Sequence, residues 1–123
     1  DRRESAAKCP PLNPVRQARM GINVAWVDER RAPLKEVLDP GAILSRLATR
    51  DWAALTDSKC LQFIEPWGDT TFNQTQIPVL LSELRVQVPR VGDPRESTHL
   101  LQVIELVEAS IDQVHTYIEF TGD

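Results

Sequence analysis

The stretch that decides the fold is CLQFIEPWGDTTFNQTQIPVLLSEL, residues 60–84. Its first apolar residues, 60–64, predict a strand that stops at the turn EPWGD (65–69), and TTF (70–72) predicts a short returning strand. After Asn73 the apolar spacing becomes that of one helix face, with Ile77, Leu80, Leu81 and Leu84. A strand, a turn, a second strand and a helix therefore follow one another in a single unit.

The flanking segments can be placed around this unit. Alternating side chains predict strands at 22–27 and 34–38, joined by a charged turn as an antiparallel hairpin. Asp39-Pro40 predicts a helix over 40–49, because Asp accepts free backbone N–H groups and Pro suits the first helical position. After a loop at 89–94, Ser97 or Thr98 is expected to begin a third helix, and the last strand is expected at 114–120.

This order of elements predicts the fold class. Antiparallel strands with helices collected together indicate an α+β two-layer sandwich, with a mostly antiparallel four- to five-stranded sheet and about three helices packed on one face. We expect one domain over 20–123 and a non-patterned N-terminal extension over 1–19, where prolines break any helix. Met20 is interpreted as a natural start codon, with the preceding sequence translated in frame.

Composition excludes several classes of protein. Against a total charge of −4, residues 1–19 carry +3, which leaves −7 for residues 20–123. Such an acidic body argues against a nucleic-acid partner, and the basic extension is more simply a solvated arm. No apolar run is long enough for a membrane span. Cys9 and Cys60 form no metal or disulfide pattern, so we expect no metal, no cofactor and a cytoplasmic location.

The last predicted strand carries the first candidate site. His115, Tyr117 and Glu119 are spaced by two, so in a strand they would project from one face. A histidine beside a carboxylate and a phenol could move protons, which makes these three residues candidates for catalysis. The simpler interpretation, which we favour, is the solvated face of a half-covered antiparallel sheet.

The turn at 65–69 carries the second candidate. Glu65, Trp67 and Asp69 place two carboxylates and an indole at the end of a strand, and exposed aromatic residues often anchor interfaces. The competing interpretation is a Trp67 folded back over the sheet edge, with Asp69 bonding its own turn. Of the remaining residues, His99 is expected at the surface and Cys60 buried in its strand.

Three blocks of sequence carry a family resemblance. INVAWVDE (22–29), residues 60–84 and VHTYIEFTGD (114–123) resemble a family of small bacterial proteins of unknown function, found in genomes and in mobile gene cassettes. The leader before Met20 also resembles the translated recombination site of an integron cassette. The resemblance implies a bacterial accessory protein and brings no assigned activity.

Two functional hypotheses follow. The first is a non-enzymatic protein-interaction module, a homodimer that binds a protein partner through an acidic surface centred on Trp67. The second is a small enzyme or small-molecule-binding domain that uses the face of His115, Tyr117 and Glu119. The sequence favours the first, because it contains no catalytic motif.

Overall fold

A single antiparallel sheet forms one layer of the protein. The structure, a computed structural model, describes residues 21–122. The sheet has the strand order β2-β1-β4-β3, and its strands are β1 (Ile22–Val27), β2 (Pro33–Val37), β3 (Asp69–Phe72) and β4 (Tyr117–Gly122). Strands β1 and β2 pair as the predicted hairpin. The predicted N-terminal extension and Met20 lie outside the described residues.

Three α-helices form the second layer: α1 (Ile43–Arg50), α2 (Ile77–Gln87) and α3 (Pro94–Ser110). Short 3-10 turns occur at 40–42, 52–54, 61–63 and 88–90. Alternate residues of the strands, such as Ile22, Val24 and Phe120, join the three helices in one buried cluster. The predicted α+β class is confirmed. No helix within residues 21–122 has the length and apolar character that crossing a membrane requires.

Helix α3 begins one turn earlier than the sequence prediction. Asp93 caps it by accepting the Arg95 backbone N–H at 2.8 Å, and Pro94 occupies the first helical position. Ser97 and Thr98, the predicted caps, lie inside the helix. The cause is a second Asp-Pro pair, which here joins a capping carboxylate to a residue with a helical φ.

At the first pair, Asp39-Pro40, the predicted helix start is wrong by three residues, because Gly41 and Ala42 have left-handed φ values of 68° and 58° and α1 begins at Ile43. The Asp39 carboxylate accepts the Leu44 and Ser45 N–H groups instead.

The predicted strand at Cys60–Ile64 is wrong: this segment contains a 3-10 turn at Leu61–Phe63. The carboxylate of Glu83, on α2, accepts the backbone N–H groups of Lys59, Cys60 and Leu61 at 2.6–3.1 Å. Three successive N–H groups are thereby satisfied without a neighbouring strand. The apolar residues at 60, 61 and 64 are still buried, so the pattern identified a core segment but not its conformation.

Strand β4 is displaced from the predicted 114–120, since it begins at Tyr117 and ends at Gly122. Tyr117 pairs with Val27, the last residue of β1, so the residues before Tyr117 have no β1 partner. Val114 is exposed, and His115 has a left-handed φ of 61°. His115 therefore does not share a strand with Tyr117 and Glu119.

The turn that carries Trp67 is fixed against the end of β4. Gly122 N–H donates to the Gly68 carbonyl at 2.8 Å, and a Cβ added to Gly122 would lie 2.3 Å from the Pro66 carbonyl oxygen. Glu65 N–H also donates to the Thr70 hydroxyl at 3.0 Å. The turn therefore lies so close to the backbone of β4 that only glycine fits at position 122.

We expect Gly122→Ala to lower the free energy of unfolding by about 1–3 kcal/mol, because the new methyl group meets rigid backbone. Gly92→Ala is the matched control, since a Cβ at Gly92 meets no atom within 4 Å. The control should lose no stability. Urea unfolding of both variants measures the difference, and equal midpoints would contradict the close approach seen at Gly122.

Candidate functional site

Trp67 lies at the surface with its two carboxylates. Its side chain is not folded back over the sheet, since the residue is 69% exposed. Glu65 and Asp69 are exposed on either side of it along the chain. The backbone bonds of this turn fix its position, so the indole is presented from a defined loop. We call residues 65–69 the Trp67 turn.

The three residues predicted on the last strand do not form one group: Tyr117 and Glu119 lie in β4, and His115 precedes it. Glu119 lies in β4 and accepts a hydrogen bond from the Arg31 guanidinium at 2.5 Å. The exposed His115 lies outside the strand, with its Nδ1 3.1 Å from a carboxylate oxygen of Glu29. Tyr117 is half-buried in β4. Both side chains that could assist proton transfer, His115 and Glu119, thus contact residues of the β1–β2 turn.

A buried carboxylate joins the first strand to the first helix. Asp39 Oδ2 accepts the Ile22 N–H at 2.8 Å, and both of its carboxylate oxygens lie 3.0 Å from the Leu44 N–H. Ser45 N–H lies 3.3 Å from the same Oδ2. Since burial of an ionised carboxylate is costly unless it is hydrogen-bonded, these donors are what stabilise Asp39 in the interior.

His99 lies beside this carboxylate and not at the surface, which corrects the sequence interpretation. The residue is 3% exposed, and its Nε2 lies 3.6 Å from Asp39 Oδ1, too far for a hydrogen bond. Among residues 21–122, Nε2 has no hydrogen-bond partner. Burial lowers the pKa of His99 below its ordinary value of 6.5, against the opposing attraction of Asp39 and a contact with Gln102.

A second buried carboxylate, Glu96, lies one turn earlier on α3. Arg50 donates to its Oε1 at 3.2 Å, and an Arg46 nitrogen lies 3.6 Å from its Oε2. Asp51 and Glu96 together raise the pKa of Arg50. Arg46 also donates to the Gly41 carbonyl at 2.6 Å, which holds its guanidinium near the start of α1.

These residues border a cleft of about 830 Å³ between the start of α1 and the first half of α3. Pro40, Ile43 and Pro94 supply apolar surface, whereas Arg46, His99 and Gln102 supply polar groups. We call this space the α1–α3 cleft. Its size lies within the range of about 300–1,000 Å³ typical of small-ligand sites.

The sequence contained a signal for the buried part of this site. His99 lies four residues before Val103 and seven before Leu106, both of which are buried on α3. Glu96 lies four residues before Leu100, at the same helical spacing. Both polar residues therefore continue the apolar stripe toward the helix start, although His99 was expected at the surface because a cation is unfavourable in the first turn of a helix.

Residues 21–122 contain neither a metal-ligand cluster nor a reactive thiol. This part of the chain contains no group of three or more His, Cys, Asp or Glu residues that could hold a metal ion. Cys60 is a buried thiol whose pKa is raised to about 11 by desolvation and by Glu83. A thiol with this pKa is almost entirely protonated at neutral pH and is a poor nucleophile.

Comparison with known proteins assigns no family or function to the chain. None of the family models, curated proteins or solved structures compared with the chain matches it. The resemblance to cassette proteins therefore stays a prediction.

The buried His99 predicts a loss of stability in acid. Because its pKa is lower in the folded protein, the unfolded chain binds a proton first as the pH falls below about 6.5. The stabilisation due to neutral His99 is complete above that pH and declines below it, until the folded protein is also protonated. Urea unfolding between pH 7.5 and 5, a range that spans this ordinary value, measures the slope.

His99→Gln should flatten this part of the pH profile, because the variant cannot take up that proton. His115→Gln is the control, since it removes an exposed imidazole and leaves His99 in place. A profile that flattens only in His115→Gln would show that His99 is not the group responsible.

Proposed function

We propose that this protein is a non-enzymatic protein-interaction module that binds a basic segment of a partner through the Trp67 turn. The observation that carries the proposal is the 69% exposure of Trp67 on a loop whose backbone is fixed. Exposing a tryptophan to water is unfavourable, and aromatic residues are enriched at interface hot spots. A fixed loop also loses little conformational entropy when a partner binds.

The charge around Trp67 favours a cationic partner. Glu65 and Asp69 are exposed on either side of the indole, and neither forms an ion pair within residues 21–122. A guanidinium can contact both a carboxylate and an aromatic face, which adds a cation–π interaction to the charge attraction. The net charge of −7 over residues 20–123 attracts such a segment from a distance.

We further propose that a second copy of the chain binds at the β2 edge of the sheet. Strand β2 pairs only with β1 among the described strands, so its other edge has no strand neighbour there. Leu34 and Leu38, at and just after this strand, are 53% and 64% exposed. An exposed edge strand with apolar side chains favours pairing with another strand, and a homodimer would cover it.

The alternative hypothesis, an enzyme or ligand-binding site at His115, Tyr117 and Glu119, has less support. His115 and Glu119 are engaged by Glu29 and Arg31, and His115 does not lie in the strand. The buried, protonated Cys60 fits the proposed cytoplasmic location. An accessory role in a mobile gene cassette would be compatible with a module of this kind.

Binding of an oligo-arginine peptide tests the Trp67 turn, with an oligo-glutamate peptide of equal length as the control ligand. Calorimetry should detect binding of the first peptide only, and added salt should weaken it. Trp67→Ala should weaken binding about fivefold, which corresponds to about 1 kcal/mol of lost cation–π contact. Leu101→Ala, at another exposed apolar side chain, should not change it. Equal binding by both substituted proteins would refute the role of Trp67.

Self-association is tested by size-exclusion chromatography with light scattering. The expected mass is twice the 13.9 kDa of one chain. Leu34→Lys should shift the mass to that of the monomer, because a charge would be buried at the paired edge. Leu101→Lys places the same charge on α3 and should leave the dimer intact. A monomer at every concentration would remove the homodimer from the proposal without affecting the Trp67 turn.

A further inference from the structure

We propose that the α1–α3 cleft binds a small organic monocarboxylate, whose carboxylate lies on the Arg46 guanidinium and whose apolar part lies between the two helices. The cleft shares no residue with the Trp67 turn or with β2. This inference therefore does not depend on the proposed protein interactions, and either can be wrong alone.

The free N–H donors of the cleft favour a ligand that carries hydrogen-bond acceptors. The two buried carboxylates beside it are already occupied: Asp39 accepts three backbone N–H groups, and Glu96 accepts from Arg50. Arg46 uses one nitrogen on the Gly41 carbonyl, and a second lies 3.6 Å from Glu96 Oε2, beyond hydrogen-bond distance. Within residues 21–122 its other N–H groups have no hydrogen-bond partner at the border of the cleft. Donors therefore exceed available acceptors in this space.

His99 indicates that the cleft is an incompletely satisfied site. The imidazole borders the cleft while 97% of the residue is buried, and among residues 21–122 its Nε2 lacks a hydrogen-bond partner. Buried polar atoms in native proteins are usually hydrogen-bonded, so an unpartnered one requires an explanation. A ligand with a hydrogen-bond acceptor would satisfy Nε2 in the neutral tautomer that carries its proton on that nitrogen.

The charged residues that border the cleft sum to zero, which disfavours a ligand with more than one negative charge. Two guanidinium groups, of Arg46 and Arg95, and two carboxylates, of Asp93 and Glu96, border the cleft. Asp93 also occupies the N-terminus of α3, where it accepts the Arg95 N–H that a phosphate would otherwise bind. A phosphate dianion would meet two carboxylates with no excess of positive charge, whereas a planar carboxylate suits a single fixed guanidinium.

The walls of the cleft define the rest of the ligand. Pro40 and Ile43 lie on one side and Pro94 on the other, so an apolar group of modest size can be covered on both sides. Ligand sites of this kind are lined mainly by apolar surface, with a few polar groups that set orientation. A short-chain or aromatic monocarboxylate fits these requirements.

The experiment uses benzoate as the probe, with benzamide as a neutral molecule of the same shape and inorganic phosphate as a second anion. NMR follows the His99 ring signals of the full chain during each titration. Benzoate should give saturable shifts, and the other two compounds should not. Arg46→Gln should weaken benzoate binding at least about tenfold, the loss of about 1.4 kcal/mol.

Two further variants keep the test decisive. Arg85→Gln removes an exposed guanidinium on α2 that does not border the cleft, and it should leave benzoate affinity unchanged. Arg46→Lys keeps the charge but not the paired N–H groups, and it should bind more weakly than the unsubstituted protein. Equal binding of benzamide or phosphate, or undiminished affinity in Arg46→Gln, would overturn the proposal.

Discussion

The buried carboxylate of Asp39 is the interaction on which the arrangement of the two layers depends. It accepts the N–H of Ile22 at the start of β1 and the N–H of Leu44 at the start of α1, so one side chain fixes a strand and a helix together. Gly21 makes this possible, because a Cβ at that position would lie 2.8 Å from Asp39 Oδ2. Asn23 completes the junction by accepting the Asp39 N–H at 2.9 Å.

This junction also determines the character of the α1–α3 cleft. Backbone N–H groups satisfy Asp39 completely, so it does not need a protonated histidine, and desolvation can hold His99 neutral. The negative charge of Glu96 is compensated differently, by the guanidinium groups of Arg46 and Arg50 on α1. Both buried carboxylates, Asp39 and Glu96, are thus balanced by donors of the chain. The hydrogen-bonding capacity that remains at the cleft lies on arginine and histidine.

The class of fold and most of the helices and strands could be predicted from the sequence, because the spacing of apolar residues reports directly which side chains are buried. The β1–β2 hairpin and the α2 stripe depend on spacing alone, and both were predicted. Cys60–Ile64 failed because its conformation depends on Glu83, a carboxylate more than 20 residues away. The cleft was missed because His99 is an ionisable residue at an apolar position, and only the packing of α1 against α3 buries it.

Unused interaction capacity at an exposed turn or a cleft, and not residue type, distinguishes the candidate functional groups of this protein. Unused capacity alone is not enough, because the buried Nε1 atoms of Trp26 and Trp52 also lack partners within residues 21–122 and belong to the core. His115 and Glu119 have the chemistry of a proton-transfer site, yet each is paired with the β1–β2 turn and so helps to hold β4. Trp67, Arg46 and His99 differ because their contacts within residues 21–122 leave apolar surface, donors or a ring nitrogen unsatisfied. A folded chain retains such groups at a cost in stability, and binding is the simplest reason for it.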